Sequence, residues 1–294
     1  QGFLARAQYD YDGKYFISGP YRRDASSRFA PGHRWGNFGS VGAAWLLSQE
    51  GFMQGADWVN MLKLKASWGV QGNNSLYPSA GAAIKYYPYA DNYSHSYNEE
   101  TGEYSLTLNY KGNEELTWES SHAFNVGVDF ELFNGYLNGT VEYFSRVTTD
   151  LLYSKDVPLS SGNPTGMYPV NVGSIRNNGV EVTLGGNIIN TKNVQWDWNF
   201  NISHYTNKIL ALDESVSKEG IKGSYYIYKV GGSLYESYIR KFAGVDPETG
   251  KATWYQKVKD EDGNWTGETT TTDVFSKADQ FENGSILPKV YGGF

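Results

Sequence analysis

Phe124-Asn125-Val126-Gly127-Val128-Asp129-Phe130-Glu131-Leu132, then Asn134-Gly135, then Leu137-Asn138-Gly139-Thr140-Val141-Glu142-Tyr143 is the stretch on which the fold turns. Phe124, Val126, Val128, Phe130 and Leu132 alternate with Asn125, Gly127, Asp129 and Glu131. A period of two sends the two sets to opposite faces of a strand. Asn134-Gly135 is the strongest short hairpin signal, because both residues tolerate positive φ. After it Leu137, Val141 and Tyr143 alternate with Asn138, Thr140 and Glu142. The stretch is therefore an antiparallel hairpin with one apolar and one polar face.

The same pattern recurs on both sides. Phe3, Ala5, Ala7, Tyr9 and Tyr11 alternate with Leu4, Arg6, Gln8 and Asp10, and Asp12-Gly13 marks a turn before Tyr15, Ile17 and Tyr21. In 62–70 and 194–205 the apolar members are Leu62, Leu64, Ala66, Trp68 and Val70, and Trp196, Trp198, Phe200 and Ile202. Segments 38–47 and 179–186 are weaker copies. We count about eight long strands, each close to the ~9–11 residues that carry a tilted strand across a bilayer. Turns at 12–14, 133–135 and 187–193 are short, whereas 24–37, 71–122, 146–178 and 206–233 are long. Connection 48–61 is intermediate, with a helical turn expected at Trp58-Val59-Asn60-Met61. Short and long connections alternate, as in an outer-membrane barrel with short periplasmic turns and long external loops. A soluble antiparallel sandwich also alternates apolar and polar residues, and stays open on periodicity alone.

Composition agrees. Aromatic residues make up 16% of the 294, with 24 Tyr and 9 Trp, and 34 Gly supply turns. A mean hydropathy of −0.54 suits a barrel, whose strands are apolar only at every second position. The absence of Cys excludes disulfides and thiol chemistry in this chain. A net charge of −7 argues against nucleic acid as a partner. Both ends fall inside strand-like patterns, so the expectation is a portion of a longer chain. The expected faces are polar, toward a lumen, for Arg6, Gln8, Asp10, Lys63, Lys65, Asp129, Asn199 and Asn201, and apolar, toward lipid, for Phe3, Ala7, Leu64, Trp68, Val126, Phe130, Trp198 and Phe200.

No cofactor, metal site or catalytic motif is expected. His33, His95, His122 and His204 lack metal-ligand spacing, and there is no G-x-S-x-G, P-loop or H-E-x-x-H. Sequence distance does not exclude a glycosidase pair among the carboxylates, but a polar wall explains Asp129, Glu131 and Glu142. Asp260-Glu261-Asp262-Gly263-Asn264 reads as a hairpin tip rather than a calcium loop, and Asp246-Pro247-Glu248-Thr249-Gly250 as a Pro-initiated turn. The substrate-binding candidates are Tyr86, Tyr87, Tyr89, Tyr93 and His95, in a loop that also holds Tyr77 and Tyr97 with Asp91 and Asn92. Tyrosine stacks on sugar rings or peptide side chains and adds a hydroxyl. The competing reading is a loop that packs on itself.

Several strings resemble the barrel of the SusC/RagA family. Tyr21-Arg22-Arg23-Asp24-Ala25-Ser26-Ser27-Arg28-Phe29 resembles R-R-D-G-S-S-R-F, and Trp35-Gly36-Asn37-Phe38-Gly39-Ser40-Val41 resembles W-G-x-F-P-S-V, with Ala25 for Gly and Gly39 for Pro. Leu62 to Asn73 resembles L-K-L-R-A-S-W-G-x-T-G-N, and Asn113 to Glu119 resembles N-P-D-L-K-W-E, with Glu114 for Pro. Asn171 to Glu181, Ala243 to Gly250 and Pro288 to Phe294 are similar to further family strings, in family order. The resemblance implies an all-β transmembrane antiparallel barrel, plugged and of ~22 strands. On it, residues 1–294 are a partial barrel domain without plug or final strands, and 71–122, 146–178 and 206–290 are extracellular loop regions. It implies a non-enzymatic nutrient importer of the outer membrane. The implied partners are a SusD-like surface lipoprotein, a TonB complex engaged through the plug region, and a glycan or peptide substrate. A small passive porin-like barrel and a soluble carbohydrate-binding sandwich are the alternatives.

Overall fold

The computed structural model describes residues 1–76, 86–214 and 220–294. In chain order the strands are β1 (Gly2–Tyr11), β2 (Tyr15–Ala25), β3 (Trp35–Leu46), β4 (Val59–Asn73), β5 (Asn92–Asn98), β6 (Glu103–Tyr110), β7 (Glu119–Leu132), β8 (Leu137–Thr149), β9 (Leu152–Asp156), β10 (Met167–Asn171), β11 (Ser174–Asn190) and β12 (Gln195–Ala211). They continue as β13 (Ile221–Lys222), β14 (Ile227–Tyr228), β15 (Glu236–Arg240), β16 (Phe242–Val245), β17 (Ala252–Lys259), β18 (Trp265–Thr272), β19 (Gln280–Ser285) and β20 (Tyr291–Gly293). Residues 1–206 with 289–294 form one compact unit, and 207–288 a second.

The first unit is built on a nine-stranded sheet of order β1-β2-β3-β4-β7-β8-β11-β12-β20. Its β1–β2, β2–β3, β3–β4, β4–β7, β7–β8, β8–β11 and β12–β20 pairings are antiparallel. Its turns sort by end. Residues 12–14, 47–58, 133–136 and 191–194 connect strands at one end, and 26–34, 74–118 and 150–173 at the other. Long strands run past the expected boundaries: β11 and β12 are 17 residues each, so part of each expected loop is sheet. No helix among the described residues is long and apolar enough to cross a membrane.

Register carries the alternation across the sheet. Tyr9 faces Ile17, which faces Ala43, which faces Ala66, then Val126, Tyr143 and Val180. The next row has Ser18, Gly42, Ser67, Asn125 and Phe144. A one-residue slip would exchange the two faces of a strand. The apolar row is open: Val126 and Phe124 are each 42% exposed, and Trp68 49%. A sandwich would bury that row beneath a second sheet. The nine-stranded sheet has β1 and β20 as its two edges, which do not pair with each other among the described residues.

Aromatic rings bracket the apolar band. Phe3 stacks on Trp35 at 6.0 Å, with the Arg23 guanidinium 5.0 Å over Trp35. Towards the other end Tyr9, Tyr11, Tyr15 and Trp45 form a continuous line of ring contacts at 6.1–6.5 Å. From Phe3 to Tyr11 the strand climbs roughly 26 Å at ~3.3 Å per residue, close to the ~25 Å apolar band of outer-membrane barrels.

The helical turn expected at Trp58-Val59-Asn60-Met61 is corrected. Val59 opens β4, and the 3₁₀ turns lie at Leu47–Gln49 and Gly51–Met53. The neighbouring turn takes over this segment: Phe133 N donates to Trp58 O at 2.7 Å, the Trp58 and Phe133 rings stack at 5.5 Å, and Asn60 exchanges two hydrogen bonds with Asn134.

In the second unit β15 pairs with β19, and β16, β17 and β18 form a three-stranded sheet. Residues 260–264 are the tip of the β17–β18 hairpin, and 246–250 turn from β16 to β17. In that turn Asp246 accepts from the N–H of Glu248 at 2.9 Å, which with Thr249 holds its carboxyl below the usual carboxylate range.

Candidate functional site

The polar face of the nine-stranded sheet is the first candidate. Lys65 Nζ lies 2.9 Å from Asp129 Oδ1 and 3.2 Å from Glu142 Oε2. Thr140 donates to the same Asp129 oxygen at 2.9 Å. Register explains the reach: Lys65 faces Gly127, and Gly127 faces Glu142. With no side chain at Gly127 the lysine stem crosses the strand. A Cβ there would meet Lys65 Cε at 3.1 Å and Val141 O at 2.9 Å. Lys65 and Glu142, with Gln8, Asp10, Phe16, Ser18, Ser67 and Asn125, help line an open hollow of about 560 Å³. Arg6, Gln8, Asp10, Lys63, Lys65 and Asp129 share this face by register, as expected. Asn199 joins them beside Gly185, opposite Asn138.

The long-connection end holds the second feature. Ser26 Oγ accepts from Asn74 Nδ2 at 2.9 Å, and Arg28 Nη1 donates to Asn74 O at 3.1 Å. Arg34 Nε donates to Phe29 O, and Trp118 Nε1 to Arg34 O at 3.0 Å. The Trp118 ring contacts Phe29 and Phe38 at 5.5 and 5.1 Å, and Phe29 and Leu116 are almost fully buried. Glu119 accepts from Asn73 and from Leu152 N, while Asn171 exchanges hydrogen bonds with Thr117. Strings far apart in sequence thus build one cluster that anchors three long connections. Sequence reasoning noted each string but not their convergence.

The tyrosine candidates divide into two groups. Tyr86, Tyr87 and Tyr89 precede β5, with the Tyr87 and Tyr89 rings edge to face at 6.3 Å. Tyr93 and His95 lie on β5, on one face of the β5–β6 hairpin. Tyr77 lies outside the described residues. The base of the hairpin is tied by Asp91, which accepts from Lys111 Nζ at 2.9 Å, Gly112 N at 2.8 Å and Tyr93 Oη at 3.3 Å. The Lys111 hydrogen bond, then that of Gly112, holds the Asp91 carboxyl below its usual range. Tyr110 is buried beside it, donates to Pro88 O at 3.1 Å, and has its hydroxyl pushed up to about 12, chiefly by that burial. Gly112 is required here: a Cβ would sit 2.4 Å from the Tyr89 carbonyl.

No group of three His, Cys, Asp or Glu is placed to hold a metal among the described residues. His33 faces Glu115 at 3.8 Å, His122 packs on Trp68, and His204 bonds the Lys289 carbonyl.

The TonB dependent receptor-like β-barrel family model matches residues 1–287. The chain belongs to that family. It is 34% identical over 241 residues to TonB-dependent receptor P39 of Formosa agariphila, covering 82% of this chain and 22% of that protein. It is 30% identical over 218 residues to TonB-dependent receptor SusC of Bacteroides thetaiotaomicron, covering 71% and 21%. It also resembles the RagAB peptide importer in its open-open state, with a TM-score of 0.80 and 28% identity over 98% of this chain and 30% of that one. The chain therefore spans about a fifth of the length of the curated relatives it matches. Family membership places this TonB-dependent receptor barrel in the outer membrane, and makes its apolar face the lipid face.

Proposed function

We propose that this protein imports nutrients through the outer membrane, with energy delivered by TonB and a SusD-like surface lipoprotein at the external mouth. The observation that carries the reading is the match of 98% of the chain to the RagAB peptide importer at a TM-score of 0.80. A polar inner wall around Lys65, Asp129 and Glu142 supports it, because a conduit for hydrophilic solutes needs hydrogen-bonding groups on its inner face. The protein has no enzymatic role in this reading.

The short turns then face the periplasm, and 71–122, 146–178 and 206–290 are external. The substrate is a glycan or a peptide. Tyr86 and Tyr87, both exposed, with Tyr89 beside them, are the proposed contacts for it, since stacking on a phenol ring serves either class. Tyr93 and His95 lie apart from these on the hairpin. The test is uptake of labelled oligosaccharide and oligopeptide pools by cells with and without the gene, each with TonB intact or deleted. Uptake that needs both the gene and TonB supports the reading. Uptake that needs the gene but persists without TonB makes it a passive porin.

A further inference from the structure

Lys257 of β17, in the second unit, is a cation surrounded by rings. Its Nζ lies 5.0 Å from the centroid of Phe281, 5.2 Å from Trp265 and 6.0 Å from Tyr238. No carboxylate among the described residues forms an ion pair with it, whereas Lys65, Lys111, Lys229 and Lys251 each have one. The walls of this cage are fixed independently of Lys257. Trp265 Nε1 donates to Glu268 O at 2.8 Å, and the Trp265 and Phe281 rings stand edge to face at 6.0 Å with 81° between their planes. Phe281 lies in β19 opposite Ile239, and the N–H of Tyr238 donates to Tyr225 O at 2.7 Å. The occupant is held less firmly. The Lys257 backbone N–H is tied to Asp279 Oδ2 at 2.7 Å, but the ammonium ends a flexible four-carbon stem. Arg240 in the same unit is the contrasting case. Its guanidinium lies 4.7 Å over Phe275, and its Nε also donates to Ala278 O at 3.0 Å, a bond that the Lys257 ammonium lacks.

Fixed aromatic walls around an ammonium are the means by which proteins recognise ammonium ligands. Here the group inside is the chain's own, and water can reach it: Trp265 is 50% exposed, and Tyr238, Lys257 and Phe281 are half-buried. An ammonium is strongly hydrated, so Lys257 can swing into water at small cost. The surroundings favour another cation in its place. The β17–β18 hairpin, which carries Lys257 and Trp265, holds Asp260, Glu261, Asp262 and Glu268 against Lys257 and Lys259. We propose that Tyr238, Trp265 and Phe281 form a binding site for an organic ammonium group, in which Lys257 is a built-in occupant that yields to the ligand. The site rests on the import function proposed above, under which 206–290 is external, and it narrows the substrate to one with a free amine. That amine belongs to a lysine side chain or amino terminus of a peptide, or to an amino sugar.

The test is calorimetric binding of trilysine and of a glucosamine trisaccharide to the full receptor in detergent, each beside its fully N-acetylated form. At least one amine should bind and its acetylated form should not; which amine binds separates the two sources. Lys257→Ala empties the cage and should tighten Kd for that amine roughly two- to fivefold, the worth of an exposed cation–ring contact. A purely structural Lys257 predicts the opposite sign, because losing its contacts would loosen the walls. Trp265→Leu keeps apolar bulk without the ring, and should weaken Kd at least about fivefold in the parent and in Lys257→Ala alike. Limited proteolysis checks that the second unit stays folded. If Lys257→Ala is cleaved, Lys257→Gln keeps the stem without the charge and should tighten Kd in the same direction. Absence of amine binding in parent and Lys257→Ala, equal binding of amine and acetylated forms, weaker binding in the Lys257 variants, or binding unmoved by Trp265→Leu overturns the cage. TonB-dependent uptake of the labelled pools does not depend on any of these results, and decides the importer reading separately.

Discussion

A charge placed on the lipid face should be costly by an amount that tracks its depth. On β7 the lipid face runs Phe124, Val126, Val128, Phe130, Leu132, and the rings that mark its ends are Phe124 and the stacked Trp58–Phe133 pair. Val128 sits about 13 Å along the strand from Phe124, and Val126 about 7 Å, at ~3.3 Å per residue. With strands tilted ~40°, Val128 falls near the middle of the band and Val126 nearer its edge. Arg at the midplane costs roughly 2–4 kcal/mol, falling to about 0–1 near an interface. Val128→Arg should therefore shift the folding equilibrium by roughly 30- to 700-fold at 1.4 kcal/mol per factor of ten. Val126→Arg should fall between that and the interface value. Asn125→Arg, one residue away on the opposite face beside Ser67 and Phe144, should be close to neutral. The assay is guanidinium unfolding of the receptor in lipid vesicles, followed by tryptophan fluorescence and by the gel shift of the unheated barrel. If Val128→Arg is as stable as Asn125→Arg, the face assignment is wrong. If Val126→Arg is the more costly of the two, the depth argument is wrong.

Three further outcomes follow from the polar contacts. Lys65→Met leaves Asp129 and Glu142 facing each other without their cation, and should cost about 1–3 kcal/mol in the same unfolding assay. Adding Asp129→Asn and Glu142→Gln to it should restore most of that loss. Asp91 has its carboxyl pKa lowered on folding, so its contribution is complete above the unfolded value near 4 and is lost as pH falls through the folded value. The protection factor of the Gly112 amide, its exchange rate relative to the intrinsic rate at the same pH, should accordingly fall below about pH 4, and in Asp91→Asn it should be low and independent of pH. Gly112→Ala pushes a methyl group into the Tyr89 carbonyl, and should expose the 86–112 segment to limited proteolysis while the barrel keeps its gel shift.

The wall of the barrel was readable because one face meets lipid and the other water, which imposes period two directly on the residues. Val126 and Asn125 declare their faces without any knowledge of their neighbours. The strand ends were less readable. Beyond the lipid band no solvent enforces alternation, so the outer ends of β11 and β12 carry a mixed pattern and looked like loop. Trp58 to Met61 failed for a different reason: its structure is set by Phe133 and Asn134, more than seventy residues later. The tyrosine loop shows both limits. Composition found Tyr86 through His95, but only the pairing of β5 with β6 separates a ring-lined lead-in from a hairpin face.

The family-like strings make the same point about what sequence patterns record. Arg28, Phe29, Trp118, Glu119 and Asn171 do not line the hollow beside Lys65. They close a cluster where three long connections leave the sheet, with Phe29 and Leu116 buried and Glu119 tied to both Asn73 and Leu152. An external loop of tens of residues loses much conformational entropy on ordering, and only its root can be anchored against the rigid sheet. The anchor must fit the sheet, so its residues are constrained and form recognisable strings. The distal segments, including β5 and β6, escape that constraint. That division explains why the strings identify the barrel and say nothing of its substrate.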